Sequence, residues 1–128
     1  LLERSDFVQV TCPLTKETEG LFGTEQFDAM KPTAFFITTA RGPVHDEAAL
    51  FEALVAGSIA GAGLDVFTDE PQVPEQLFAL DNVVLLPHIG SAEKSARARM
   101  GEMCAQNAIA IAAGEVPPYA VNPEAKKS

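Results

Sequence analysis

Cysteine is scarce in this 128-residue chain. Cys12 and Cys104 are too few and too far apart for a disulfide framework or a zinc site, and a reducing cytoplasm is the simplest setting for them. Basic residues are scarce too: nine against eighteen acidic, a net charge of −9. Phosphate backbones are bound by basic patches, so this balance argues against nucleic acid as a partner. The basic residues that do cluster are Arg97 with Arg99, read as one helix face, and Lys126 with Lys127, read as a tail. No apolar run approaches the roughly 18 residues that a membrane helix needs, so no membrane partner is expected, and no metal. Internal repeats and low-complexity tracts are absent. So is the glycine-rich phosphate fingerprint GxGxxG, whose spacing Gly57, Gly61 and Gly63 do not match. The chain opens LLERSDF without Met, like the last turn of a helix entering a strand. The expectation is a fragment of a longer protein.

What is present suits one globular domain. Hydrophobic residues make up 47% and charged residues 21%, and this length encloses one core but hardly two. Four short apolar runs read as strands, at 6–12, 34–40, 59–66 and 82–88. The first stops at Pro13, which cannot donate to a central ladder. The second, AFFITTA, suits a strand buried on both faces. Glycines in the third suit a place where another backbone or a ligand comes close. Between the runs the pattern predicts a turn with a short helix over 14–23 and a helix start at 24–27. A helix over 47–57 follows, capped by Asp46, closed by Gly57 and apolar along Ala49, Leu50, Ala53 and Leu54. A short helix is expected around 75–80. Ser91 is expected to cap a long helix to about residue 113, apolar along Ala96, Met100, Met103, Cys104, Ile109 and Ile111 and ended by Gly114. The rest, VPPYAVNPEAKKS, reads as an irregular tail. This alternation predicts an α/β fold with a doubly wound parallel sheet, about half of a dinucleotide-binding sheet plus an edge.

All four runs end in unusual chemistry: Cys12-Pro13, Thr39-Ala40-Arg41-Gly42, Asp65 through Glu70, and Pro87-His88. Open α/β sheets bind ligands beyond the carboxyl ends of their strands, so four such tips on one edge outline a site. The Arg41 guanidinium can hold a carboxylate by two parallel hydrogen bonds and polarise a neighbouring carbonyl; the alternative is a surface pairing with Asp46 or Glu47. Imidazole titrates near neutrality, so His88 can donate or accept a proton. Pro87 and Gly90 fix an unusual backbone around it, and a structural loop role is the alternative. A carboxylate bonded to His88 would favour its protonated form, but spacing does not choose between Asp69 and Glu70. Asp65, at the end of a buried strand, needs a partner, which a cofactor amide or ribose would provide. Cys12 has no base nearby and reads as a turn residue rather than a nucleophile. His45, between a turn and a helix cap, reads as a surface residue, and Met100 and Met103 read as helix core.

Taken in order, these segments resemble the C-terminal part of the D-isomer-specific 2-hydroxyacid dehydrogenases. The resemblance runs through SDFVQVTCPLT (5–15), TTARGPVHDEAAL (38–50), AGAGLDVFTDEP (60–71), NVVLLPHIGSA (82–92) and VNP (121–123). It implies the C-terminal half of a Rossmann-like doubly wound sheet ending in a long helix. Residues 1–90 would form the C-terminal part of a dinucleotide-binding domain, and 91–128 a helix and tail returning toward a substrate domain. It implies hydride transfer between NAD or NADP and a small 2-keto or 2-hydroxy acid. Arg41 would anchor the substrate carboxylate, His88 would meet the substrate as acid/base, and Glu70 rather than Asp69 would be its partner. Cys12, Pro13, Thr18, Thr39, Ala40, Arg41, Asp65, His88 and Gly90 would fall at the nicotinamide and ribose.

Within the family, the RGPV stretch, Glu70 and the stop soon after VNP resemble glyoxylate/hydroxypyruvate or 2-ketogluconate reductases. A homodimer of the full-length protein is part of the same expectation. Two residues depart from the pattern. His45 stands where a small apolar residue is usual. Glu93 replaces a common Thr and adds an acid at a helix N-terminus, where negative charge is favourable. The alternative from another class is a dehydrogenase-like NAD(H)-binding corepressor. Without a phosphate-binding half, the fragment alone is expected to be inactive.

Overall fold

The strands form where the apolar runs are, but each is shorter than its run. In the computed structural model, which describes residues 1–122, they are β1 (Phe7–Val10), β2 (Phe35–Thr38), β3 (Gly61–Leu64) and β4 (Val83–Leu85). All pair in parallel in the order β1-β2-β3-β4. The residues that follow each strand leave the ladder and become the loops. Gly61 occupies a close approach of the expected kind: a Cβ there would lie 2.6 Å from the Asn82 carbonyl oxygen, next to β4. Lys126, Lys127 and the Pro that ends the VNP segment lie outside the described residues.

The described residues also form three α-helices, α1 (Thr24–Asp28), α2 (Glu47–Ala56) and α3 (Lys94–Ala112). Asp46 caps α2 by accepting from the backbone N–H groups of Ala48 and Ala49 at 2.9 and 3.1 Å. Gly57, at φ 71°, closes it in the left-handed conformation that glycine adopts without strain. The buried side of α2, Leu50, Ala53 and Leu54, joins Val8, Val10, Phe36, Ala62 and Leu64 of the sheet in one core. Phe22, Phe27 and Phe36 form an aromatic group inside it, with ring centroids 5.0 to 5.9 Å apart. Burying such a ring stabilises the fold by about 1.5–3 kcal/mol.

The chain divides into two compact units, Leu1–Ile89 and Gly90–Ser128. Within the second, the segment after α3 folds back on the helix. The Tyr119 N–H donates to Asn107 Oδ1 at 2.9 Å, and Arg99 donates to the Tyr119 hydroxyl at 3.1 Å. Among the described residues no helix is long and apolar enough to cross a membrane.

Several local expectations are corrected. Residues 14–23 form hydrogen-bonded turns without a helix, whereas the short helix expected around 75–80 is present, as the 3-10 helix Glu75–Ala79. β2 is buried on one face only. Phe35 is 41% exposed and stacks on the exposed Phe7 with centroids 5.6 Å apart, beside a shallow cavity of about 380 Å³ that also reaches Ile37 and Val84. An apolar run shows that a strand has two apolar faces, not that both are covered. α3 is capped by Glu93, not Ser91, because the longer carboxylate reaches the Ala96 N–H at 2.9 Å and also takes the Ser95 hydroxyl. The apolar side of α3 is mostly exposed, Met100, Ile109 and Ile111 included, since within its own unit little beyond the returning 115–122 segment faces it. Met100 is therefore not core, while Met103 is half-buried.

His45 is the sharpest correction. It is 3% exposed, because its segment bridges in parallel to Phe22 and its ring lies 5.6 Å from that of Phe36. Neither ring nitrogen has a hydrogen-bond partner. Burial pushes its pKa below the ordinary 6.5, outweighing the opposite pull of Glu47, Asp46 and the Gly42 carbonyl. The unfolded chain therefore takes up this proton first as pH falls. Stability linked to His45 is full above about pH 6.5 and declines as pH drops toward the lower folded value. The expected outcome is that His45→Leu, of similar volume, raises stability at pH 7.5 by about 1–3 kcal/mol by removing two unpaired buried nitrogens. Its advantage over the parent should widen between pH 6.5 and 5.5 in urea melts. Parallel loss of stability by both chains would refute this account.

Candidate active site

Loops leaving the carboxyl ends of β1 and β2 enclose a cavity of about 440 Å³, lined by Thr11, Cys12, Pro13, Leu14, Thr39, Ala40 and Arg41. Most of its wall is small side chains and backbone. Cys12 is half-buried and packs on the core, Ala40 is buried, and Thr39 is exposed. The Thr39 N–H donates to the Val10 carbonyl at 3.2 Å and the Ala40 N–H to the Thr38 hydroxyl at 3.3 Å, so this wall is tied to both strands. Thr18 does not line the cavity. Its hydroxyl donates to the Pro13 carbonyl at 2.6 Å and accepts from the Thr15 N–H at 2.8 Å, which fixes the loop beyond Pro13.

Arg41 is exposed and its Nη1 donates to the Ala40 carbonyl at 2.6 Å. The two surface carboxylates that were alternatives for it are engaged elsewhere. Asp46 caps α2, and Glu47 accepts the Thr68 N–H at 2.8 Å.

The β3 and β4 loops meet through side chains. Glu70 Oε2 lies 2.7 Å from His88 Nδ1, while its Oε1 accepts the Phe67 N–H at 3.0 Å. Glu70, not Asp69, is the residue in contact. His88 holds its carboxyl below the ordinary 4.5, helped by the Phe67 N–H and by the nearby charge of Arg41. Arg41, Glu70 and His88 therefore share one edge, with Glu70 electrostatically between the other two. A cavity of about 160 Å³ adjoins the pair, lined by Phe67, Glu70, Pro71, Val73, Pro87 and His88.

His88 has φ 51°, which is uncommon for a residue with a Cβ and costs on the order of 1–3 kcal/mol. Asp65 supports that conformation. Only 3% exposed, it accepts the next backbone N–H, that of Ile89, through Oδ1 at 2.7 Å. Its need for a partner is thus met within the chain. Gly90 follows Ile89 directly in the chain and begins the second unit.

The contacts of two residues with the β3 loop escaped sequence reasoning. Gly42 fits flush against the β3 loop: a Cβ there would lie 2.1 Å from the Phe67 carbonyl carbon. Glu47 holds the same loop by its bond to Thr68. The RGP turn was a visible signal for the first. Nothing in the sequence marks the second, whose contact spans 21 residues.

The sequence profile described as the D-isomer specific 2-hydroxyacid dehydrogenase NAD binding domain matches residues 1–90. A glyoxylate reductase from Thermococcus onnurineus (strain NA1) is 56% identical over 124 residues, 97% of this chain and 37% of that protein. The chain spans under two-fifths of the curated relatives it matches. Among solved structures it is similar to the NADPH-dependent glyoxylate/hydroxypyruvate reductase of Sinorhizobium meliloti in complex with NADP and malonate. That match has a TM-score of 0.82 and 42% identity, over 85% of this chain and 34% of that one. It is also similar to the D-lactate dehydrogenase of Lactobacillus jensenii with NAD+, at TM-score 0.83 and 36% identity over 94% and 40% of the two chains.

The Asp65–Ile89 bond is testable apart from any activity. Asp65→Ala should cost about 1.5–3 kcal/mol, the range for a lost hydrogen bond to a charged group, and should speed exchange of the Ile89 amide. Asp65→Asn, which keeps an acceptor oxygen, should recover most of both. Unchanged Ile89 exchange in the Ala variant would show that the bond does not hold the His88 turn.

Proposed function

The chain belongs to the D-isomer specific 2-hydroxyacid dehydrogenase family, and on that premise we propose that it is the catalytic-edge part of an oxidoreductase interconverting small 2-keto and 2-hydroxy acids. The observation that carries this reading is the Glu70–His88 contact at 2.7 Å beside Arg41. Glyoxylate or hydroxypyruvate is the substrate favoured by the relatives named above, with a 2-ketogluconate-type acid behind them. Those names also weigh against the corepressor alternative.

The cofactor fits the observed wall. A flat ring and a ribose need a cleft of small side chains and open backbone, and the cavity bounded by Cys12, Pro13, Thr39, Ala40 and Arg41 offers that. Asp65, His88 and Gly90 would complete the nicotinamide side and Thr18 would hold the loop. When bound, NAD or NADP supplies or accepts the hydride; solved relatives carry one or the other. The residue that would choose between them by meeting a 2′-phosphate follows an earlier strand of such folds.

The chain's own residues then divide the work. Arg41 spends Nη1 on Ala40, and its other N–H groups would grip the substrate carboxylate and orient the carbonyl. Glu70 fixes His88 through Nδ1, which leaves Nε2 to serve the substrate oxygen. In reduction His88 gives that oxygen a proton, and in oxidation it takes the proton back. Glu70, ionised, stabilises the protonated ring until transfer. We place the full-length protein in the cytoplasm, in line with two unpaired cysteines, and read it as a homodimer on family resemblance.

The test is NAD(P)H oxidation by the full-length protein with glyoxylate and hydroxypyruvate. His88→Ala should lower kcat by about 10²–10⁴-fold, the usual worth of a positioned acid/base, with cofactor Kd changed less than about threefold. Absence of turnover by the parent with any small 2-keto acid would sink the enzyme reading. A large loss of cofactor affinity in the variant would instead make His88 a structural residue.

A further inference from the structure

The Arg41 loop and the Glu70–His88 pair come from different crossovers, yet they must keep a fixed separation to act on one small molecule. Sheet pairing alone takes them only as far as the strand tips, where the Asp65 N–H still donates to the Thr38 carbonyl at 3.1 Å. Beyond that point two contacts continue the link. Gly42, next to Arg41, lies against the backbone of Phe67 and Thr68, closely enough that a Cβ would overlap both. Glu47, in the first turn of α2, accepts the Thr68 N–H at 2.8 Å. The adjoining amide, that of Phe67, is the one that Glu70 Oε1 accepts at 3.0 Å while its Oε2 meets His88.

Two consecutive amides are thus held by two carboxylates from different segments. One carboxylate belongs to the helix that the Arg41 loop leads into, the other to the partner of His88. We propose that Glu47 is a positioning residue for the reaction: through Thr68 it holds the Phe67–Glu70 turn in the conformation that lets Glu70 reach His88. This rests on the dehydrogenase reading for its kinetic consequence, but not for its structural one. A first-turn acid that merely complements the helix dipole would act only on α2. The bond to an amide 21 residues away goes further.

Three forms of the full-length protein test it: the parent, Glu47→Ala and Glu47→Gln. Glutamine keeps an acceptor oxygen for Thr68 and removes the charge, so it isolates the bond from the dipole. Measurements belong at pH 8, where buried His45, which Glu47 also faces, is neutral. Glu47→Ala is expected to lose about tenfold in amide-exchange protection at Thr68 and, by transmission, at Phe67. It should also lose about tenfold in kcat with the KM for cofactor within about twofold. Glu47→Gln should restore all three to within about threefold of the parent. Loss of protection at Thr68 alone, with Phe67 and kcat unmoved, overturns the proposal, as does a Gln variant as impaired as the Ala one. If the parent shows no turnover with any 2-keto acid, the enzyme reading fails, and the Phe67 amide alone decides for or against the clamp.

Discussion

Parallel pairing sets Val10, Thr38, Leu64 and Leu85 in one row across the sheet, so the chain leaves all four strands on a single edge. Arg41 and His88 each stand three residues past that row, on β2 and β4. Strands lie about 4.8 Å apart, which puts the two exits roughly 10 Å from one another with β3 between them. A carboxylate that senses both must come from the middle strand's loop. Glu70 does: it bonds His88, and Arg41 lowers its pKa through space. The site's chemical order of guanidinium, carboxylate and imidazole thus repeats the strand order of the sheet.

Position at an edge does not make loops rigid, and here acids supply the rigidity. Asp65 takes the Ile89 N–H, Glu70 the Phe67 N–H and Glu47 the Thr68 N–H. Charge-assisted bonds to backbone are stronger than neutral ones and fix the chain where no ladder does. Part of the net charge of −9 is therefore structural, holding three amides in the loops that follow β3 and β4. The left-handed backbone of His88 depends on the same device. Its cost is met from both sides, by Asp65 on the following amide and by Glu70 on the ring.

Sequence reading reached the four parallel strands, the helix of Asp46 to Gly57 and the tip residues Arg41 and His88, because each has a local signature, whereas Glu70 was told from Asp69 by family resemblance alone. Apolar runs, caps and tip residues are written within a few positions of one another. It could not reach Glu47, because a bond across 21 residues leaves no spacing to read. His45 was misjudged for a related reason. A His between a turn and a cap looks solvated, and only the Phe22 bridge and the Phe36 ring, brought from elsewhere, bury it. The α3 cap failed on position: Ser is the better N-cap on average, but the helix begins at Lys94, so Glu93 stands at the cap and accepts the Ala96 N–H. The open face behind Phe7 and Phe35 was illegible because apolar residues fit a covered face and an uncovered one alike.

Glu70 illustrates how little such a contact must contribute to stability in order to matter. Its carboxyl is held below 4.5, first by the His88 bond and then by the Phe67 N–H. A depressed carboxylate adds stability above its unfolded value, and that contribution is lost only as pH falls through the folded one. Near neutrality the group is therefore ionised whatever state His88 is in. Its side chain is also 34% exposed, so solvent screens the pair and the stabilisation is small. What remains is geometry. One oxygen on Phe67 and one on His88 hold the carboxylate at two points, and the pair engages the ring through Nδ1. For the proton transfer proposed for His88, a weak pair of fixed direction is better suited than a strong one that buries the imidazole, because the proton must leave easily.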